Sequence, residues 1–108
     1  MEKRKYQRTQ ISLPVEAQVL SSKRYFHTVS KDISLVGIRI IMNEFIAHDN
    51  SLRLDVNLID RVLPLKAKLI WCNQERLSDR YVVGLEFVEL DLETRDHIVQ
   101  FLHLANSI

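Results

Sequence analysis

Residues 51–59 set the tightest constraint on what this chain can fold into. Leu52, Leu54, Val56 and Leu58 alternate with Arg53, Asp55 and Asn57. Successive side chains of a strand point to opposite faces, so one face here is apolar and the other polar. Such a strand must lie half-buried on a core. Asp60-Arg61 then reads as a hairpin turn. The same period returns in Leu65, Ala67, Leu69 and Trp71, set against Lys66, Lys68, Ile70 and Cys72. It returns again in Tyr81, Val83, Leu85 and Phe87. Upstream, Leu13, Val15, Ala17 and Val19 alternate with Pro14, Glu16, Gln18 and Leu20. Pro14, on the outer phase, predicts an edge or a bulge near the strand start. After a turn at Ser21-Ser22-Lys23, residues 24–33 form a weaker strand with Phe26, Val29 and Ile33 as its apolar points. Gly37 leads into the apolar run Ile38–Met42, and Asn43–Asn50 and Asn73–Arg80 read as loops. Six short strands with regularly spaced turns predict a mainly β fold. A small antiparallel barrel removes exposed edges by closure.

The period changes after Leu90. Within residues 91–106, Ile98, Phe101, Leu102 and Ala105 recur at helical spacing. Asp91 and Thr94 are both candidate N-caps. The single apolar stripe predicts docking on the barrel or on a second protomer.

A chain of 108 residues with 46% hydrophobic content predicts one domain over residues 1–108. Its parts are an arm (1–9), a barrel (10–89) and a helix (91–106). The formal net charge of +1 excludes a molecule that attracts polyanions as a whole. Its basic charge is local, with Lys3, Arg4, Lys5 and Arg8 close together. Residues 1–9 are polar and without periodicity, which predicts a mobile arm. One cysteine allows no internal disulfide and fits a reducing cytoplasm. No apolar run approaches the ~18–20 residues of a membrane span, and the charged start is unlike a signal peptide. A cytoplasmic location is the expectation.

Two motifs carry the chemistry. Asp32-Ile33-Ser34-Leu35-Val36-Gly37 has the form D-x-S-x-x-G and reads as a strand end, a turn and the next strand start. Asp32 and Ser34 are two residues apart and share a face in extended chain. Gly37 lets a backbone or a ligand approach closely. Upstream, Arg4 and Arg8 make an R-x-x-x-R spacing. Read singly, the arginines fit a solvated tail, and Asp32-Ser34-Gly37 fits a turn between strands. Together and in this order, the motifs resemble the PilZ domain family, whose members bind the bacterial second messenger cyclic di-GMP. The resemblance runs from Glu2 to the C-terminal helix, and it too implies a β-barrel followed by a helix.

By that resemblance, Arg4, Arg8, Asp32, Ser34 and Gly37 are the ligand-binding residues. The chemistry suits them. Arginine can donate two hydrogen bonds to guanine O6 and N7, stack on a base, or pair with phosphate. Asp32 can accept from guanine N–H groups or hold an arginine in position. Ser34 and the backbone near Gly37 can donate to a base edge or a phosphate. Lys3 and Lys5 extend the basic cluster. In the family, the residue before R-x-x-x-R bears on how many ligand molecules bind. Lys3 stands there, and lysine stacks less well than arginine. Trp71, in phase with Leu69, packs in the core or, as in some family members, against a guanine. Gly84, within Val83-Gly84-Leu85-Glu86-Phe87, resembles another family pattern and also fits close backbone packing.

No catalytic role, metal or further cofactor is expected. His27, His48, His97 and His103 lack metal-ligand spacing, and Cys72 has no C-x-x-C partner. The function expected is a bacterial cyclic di-GMP receptor that closes its N-terminal arm over the ligand and so signals to a downstream protein, as a monomer or weak dimer. Two alternatives remain open: a small barrel binding RNA or single-stranded DNA, and an adaptor that binds proteins without the ligand. The low net charge and 7% aromatic content weigh against nucleic acid.

Overall fold

Each alternating stretch becomes a strand with its apolar phase turned inward, except at Trp71. The strands are β1 (Thr9–Gln10), β2 (Pro14–Val19), β3 (Arg24–Ile33), β4 (Gly37–Met42), β5 (Ser51–Asn57), β6 (Val62–Gln74) and β7 (Tyr81–Val88). They are followed by α1 (Leu92–Ala105). The computed structural model describes residues 7–107. All pairings among the described strands are antiparallel. The order β3-β2-β5-β6-β7-β4 closes through a β3–β4 pairing, so six strands form a barrel. β1 is an extra strand on β3.

The barrel interior holds Val15 and Ala17 of β2, Ile38 and Ile40 of β4, and Leu52, Leu54 and Val56 of β5. Ala67 and Leu69 of β6 and Val83 and Leu85 of β7 complete it. Leu54 is 0% exposed, and truncating such a leucine to alanine costs about 2–5 kcal/mol. Pro14 is the first residue of β2 and lies just beyond the β5 pairing, which begins at Val15. A residue without an N–H is tolerated at such a place.

Between β1 and β2 the ladder is broken, and Ser30 of β3 spans the break. Its buried hydroxyl donates to the Ile11 carbonyl at 2.6 Å and accepts from the Leu13 N–H at 2.9 Å. The Ser30 hydroxyl thus adds to the backbone bonds that hold this segment, from the Ile11 N–H to the Lys31 carbonyl at 3.3 Å and from the Ser30 N–H to the Leu13 carbonyl at 2.9 Å.

Asp91 is the helix N-cap, accepting from the Thr94 N–H at 2.8 Å. Ile98 is fully buried, and Phe101 and Leu102 pack on the same core. The stripe thus meets the chain's own barrel through Ile98, while Phe101, Leu102 and Ala105 stay partly exposed. Beyond the helix, Asn106 exchanges hydrogen bonds with Thr9 at 3.0 and 3.2 Å.

Two boundaries differ from expectation. Thr9 is not arm but strand: it is buried and opposite Ile33. Two polar residues show no alternation, and their partner strand holds them. Asn73 and Gln74 are not loop either; they extend β6 opposite Val82 and Tyr81.

Candidate functional site

Two β-bulges create the site. In β3, Ser30 is opposite Ile40 but Asp32 is opposite Arg39, so Lys31 is an extra residue. Ser30 lies on the inner face with Ile40. Without the bulge Asp32 would follow it inward; with the bulge it turns outward. In β6, Leu69 is opposite Leu85 but Trp71 is opposite Gly84, so Ile70 is extra. That shift turns Trp71 outward and brings Cys72, opposite Val83, against the core.

The two shifts align one row across five strands. Gln10 is opposite Asp32, Asp32 opposite Arg39, Arg39 opposite Gly84, and Gly84 opposite Trp71. Directly opposed residues share a face of the sheet. At ~4.8 Å per strand, the row spans roughly 19 Å of the barrel's outer surface.

Asp32 lies beneath this surface, 2% exposed. Its Oδ2 accepts from Arg39 Nε at 2.6 Å and also pairs with Arg39 Nη2. A buried carboxylate needs such a partner, and arginine's planar fork supplies two donors. The Arg39 side chain remains 30% exposed.

Gly84 carries no side chain, and the Trp71 indole fills the space. A Cβ at position 84 would fall 2.5 Å from Trp71 Nε1 and closer still to Cε2. Trp71 is half-buried and lies outside the core cluster. Of the two readings open for Trp71, packing in the core does not hold, because the bulge reverses its phase. For Gly84, the neighbour at close range is the indole rather than backbone.

Ser34 stands beyond the end of β3, so it does not share a strand face with Asp32. Its hydroxyl accepts from the Val36 and Gly37 N–H groups, each at 3.2 Å. Its own N–H donates to the Gly37 carbonyl at 2.8 Å. The serine thus closes the turn that starts β4. Gly37 faces the β7 backbone: a Cβ there would overlap the Leu85 carbonyl oxygen and lie 3.4 Å from its carbon.

Arg8 is half-buried and immediately precedes β1. Antiparallel pairing of Thr9 with Ile33, continued by one residue, carries the chain at Arg8 toward Ser34. Among the described residues Arg8 has no ion-pair partner. Lys3, Arg4 and Lys5 lie outside the described residues. Among the described residues no cluster of histidine, cysteine and carboxylate side chains could hold a metal ion. No helix among them is long and apolar enough to cross a membrane.

Sequence reasoning missed Arg39 and Gln10. Arg39 had a signal, as the single cation inside Ile38–Met42 on that strand's outer phase. Gln10 had none, since a two-residue strand shows no period.

A family model described as PilZ domain matches residues 2–104. No curated protein matches. Among solved structures, the chain is similar to the PilZ domain of YcgR from Escherichia coli with c-di-GMP. The TM-score is 0.79 at 15% identity, covering 96% of this chain and 91% of that one. It is also similar to the Bacillus subtilis inhibitor of motility MotI/DgrA, with TM-score 0.78 and 22% identity over 100% of this chain. The K. pneumonia MrkH–c-di-GMP complex gives 0.77 and 15% over 95%. This chain spans about half the length of those two, 54% and 52%. At such identities the likeness speaks to the fold. The match across residues 2–104 speaks to the family, and by it the chain belongs to the PilZ domain family.

Proposed function

We propose that this chain is a receptor for cyclic di-GMP, with Arg4, Arg8, Asp32, Ser34 and Gly37 forming the site and Trp71 at its far end. The carrying observation is the β1–β3 pairing. Thr9 opposite Ile33 and Gln10 opposite Asp32 deliver the segment after R-x-x-x-R to the D-x-S-x-x-G turn. This supports one site built from motifs some two dozen residues apart, since Arg8 immediately precedes β1. Structures of YcgR and MrkH with c-di-GMP lend weight to the ligand's identity.

The chemistry follows from the ligand. Cyclic di-GMP presents two phosphate charges and two guanines. Arg4 and Arg8 meet the phosphates and guanine edges with charge-assisted hydrogen bonds. Trp71, turned outward beside Gly84, offers its indole for stacking. Lys3 and Lys5 add positive charge. The ligand cancels the mutual repulsion of these cations and draws the arm down over the barrel, from its anchor at Thr9. Ligand shifts that equilibrium only by its differential affinity for the closed arm. The closed arm is the surface a downstream protein reads. PilZ domains act as receptors and adaptors, and no bond is made or broken here.

Calorimetric titration with cyclic di-GMP, beside GTP and a short oligonucleotide, tests the reading. Saturable binding of cyclic di-GMP in preference to the other two is expected. Preference for the oligonucleotide, or no binding of any, would overturn it.

A further inference from the structure

We propose that Arg39, a residue outside both motifs, reads the guanine edge, and that Asp32 acts mainly by holding Arg39 in place. This rests on the cyclic di-GMP reading above and assigns roles within that site.

Four observations carry it. First, Asp32 is itself poorly placed to meet a ligand. It is 2% exposed, with Gln10 on one flank and Arg39 on the other. Second, its Oδ2 takes the Nε and Nη2 donors of Arg39. Oδ2 is thereby committed to the arginine fork, and only Oδ1, on a side chain 3% exposed, remains for a guanine N–H. Third, that grip leaves the Nη1 end of the guanidinium with no partner among the described residues, on a side chain still 30% exposed. The guanidinium is thus fixed at one edge and open at the other. Little rotamer entropy is lost when it binds. Fourth, Arg39 and Trp71 flank Gly84 in the same row, roughly 10 Å apart across two strand spacings. Arg39 is the one cation of that row, beside the place where a base would meet the indole.

Guanine presents O6 and N7 acceptors to such a fork, whereas adenine places an amino donor at the O6 position. Arg39 therefore supplies base preference as well as affinity. The burial of Asp32 follows from the same arrangement: the positioning carboxylate sits beneath the surface, and the group it positions sits at the surface.

The test uses the full chain, with thermal melts on every variant and titrations with cyclic di-GMP and cyclic di-AMP. Arg39→Leu should weaken cyclic di-GMP binding about tenfold or more, as loss of a bidentate guanine contact does. It should also shrink the preference for cyclic di-GMP over cyclic di-AMP, a readout that loss of packing alone would not move. Arg39→Lys, which keeps the charge but not the fork, should restore little of that preference. Asp32→Asn should weaken binding in the parent chain but add nothing in the Arg39→Leu background. If Arg39 instead merely blocks Asp32, Arg39→Leu will bind as tightly as the parent or tighter, and the assignment is overturned. Additive losses from Asp32→Asn and Arg39→Leu, or equal weakening toward both dinucleotides, would overturn it as well. Failure of the parent chain to bind cyclic di-GMP would overturn the ligand reading itself, and this assignment with it.

Discussion

The indole of Trp71 lies where the Cβ of any other residue at position 84 would have to be. The ring is the free end of an outward side chain, so Gly84→Ala displaces it without breaking the core. The variant should melt close to the parent and bind cyclic di-GMP roughly tenfold more weakly, within the range for loss of one base–aromatic stack. Because the chain has one tryptophan, its fluorescence reports the displacement directly. Parent-like affinity with a moved emission maximum would remove Trp71 from the site.

Gly37→Ala should behave in the opposite way. Its Cβ would overlap the Leu85 carbonyl, part of a backbone already paired in the barrel, and a backbone cannot swing aside. Overpacking of this kind costs about 1–3 kcal/mol. A thermal melt should fall by roughly 4–8 °C for each kcal/mol lost. An unchanged melt would show that the β4–β7 contact gives way more easily than this geometry implies.

These two glycines mark how far the sequence could be read. The alternation of Leu52, Leu54 and Val56 announced a half-buried strand, and the stripe from Ile98 to Ala105 announced the helix. Both patterns are local. The outward turn of Trp71 is not, because one extra residue at Ile70 reverses the phase and leaves no mark in composition. Lys31 does the same for Asp32. The partner of Asp32 was hidden for a related reason: register across strands, rather than spacing along the chain, decides that Arg39 is its neighbour. Thr9 and Gln10 owe their strand to β3, so their own residues could not reveal it.

The N-cap gives a pH-dependent prediction. Hydrogen bonds from Thr94, backbone first and then side chain, hold the Asp91 carboxyl below the ordinary aspartate value of 3.8. A folded-state value below the unfolded one stabilises when the group is ionised. That contribution is present above pH 3.8 and is lost as pH falls through the lower folded value. Asp91→Asn keeps a capping oxygen but does not titrate. Its melting temperature should fall less than the parent's between pH 6 and pH 3, by differential scanning calorimetry. Parallel curves would mean that the cap is not titrating.

Closure of the arm makes its own prediction. Amide exchange at residues 2–8 should slow on addition of cyclic di-GMP, while Thr9, paired with Ile33, should already exchange slowly without it. In the proposed closure, ordering these residues costs about 1–2 kcal/mol each in backbone entropy, which lowers the apparent affinity. Equal exchange in both states would exclude the latch and leave ligand binding intact.

The most direct measurement is a calorimetric titration of Arg8→Ala with cyclic di-GMP. Arg8 is the described residue of R-x-x-x-R and immediately precedes β1, and as a half-buried side chain outside the core cluster it can be removed without opening the core. If both motifs form one site, the variant melts like the parent and binds at least about tenfold more weakly, from loss of a charge-assisted contact worth roughly 1.5–3 kcal/mol. Parent-like affinity in the folded variant would contradict a single site built from both motifs.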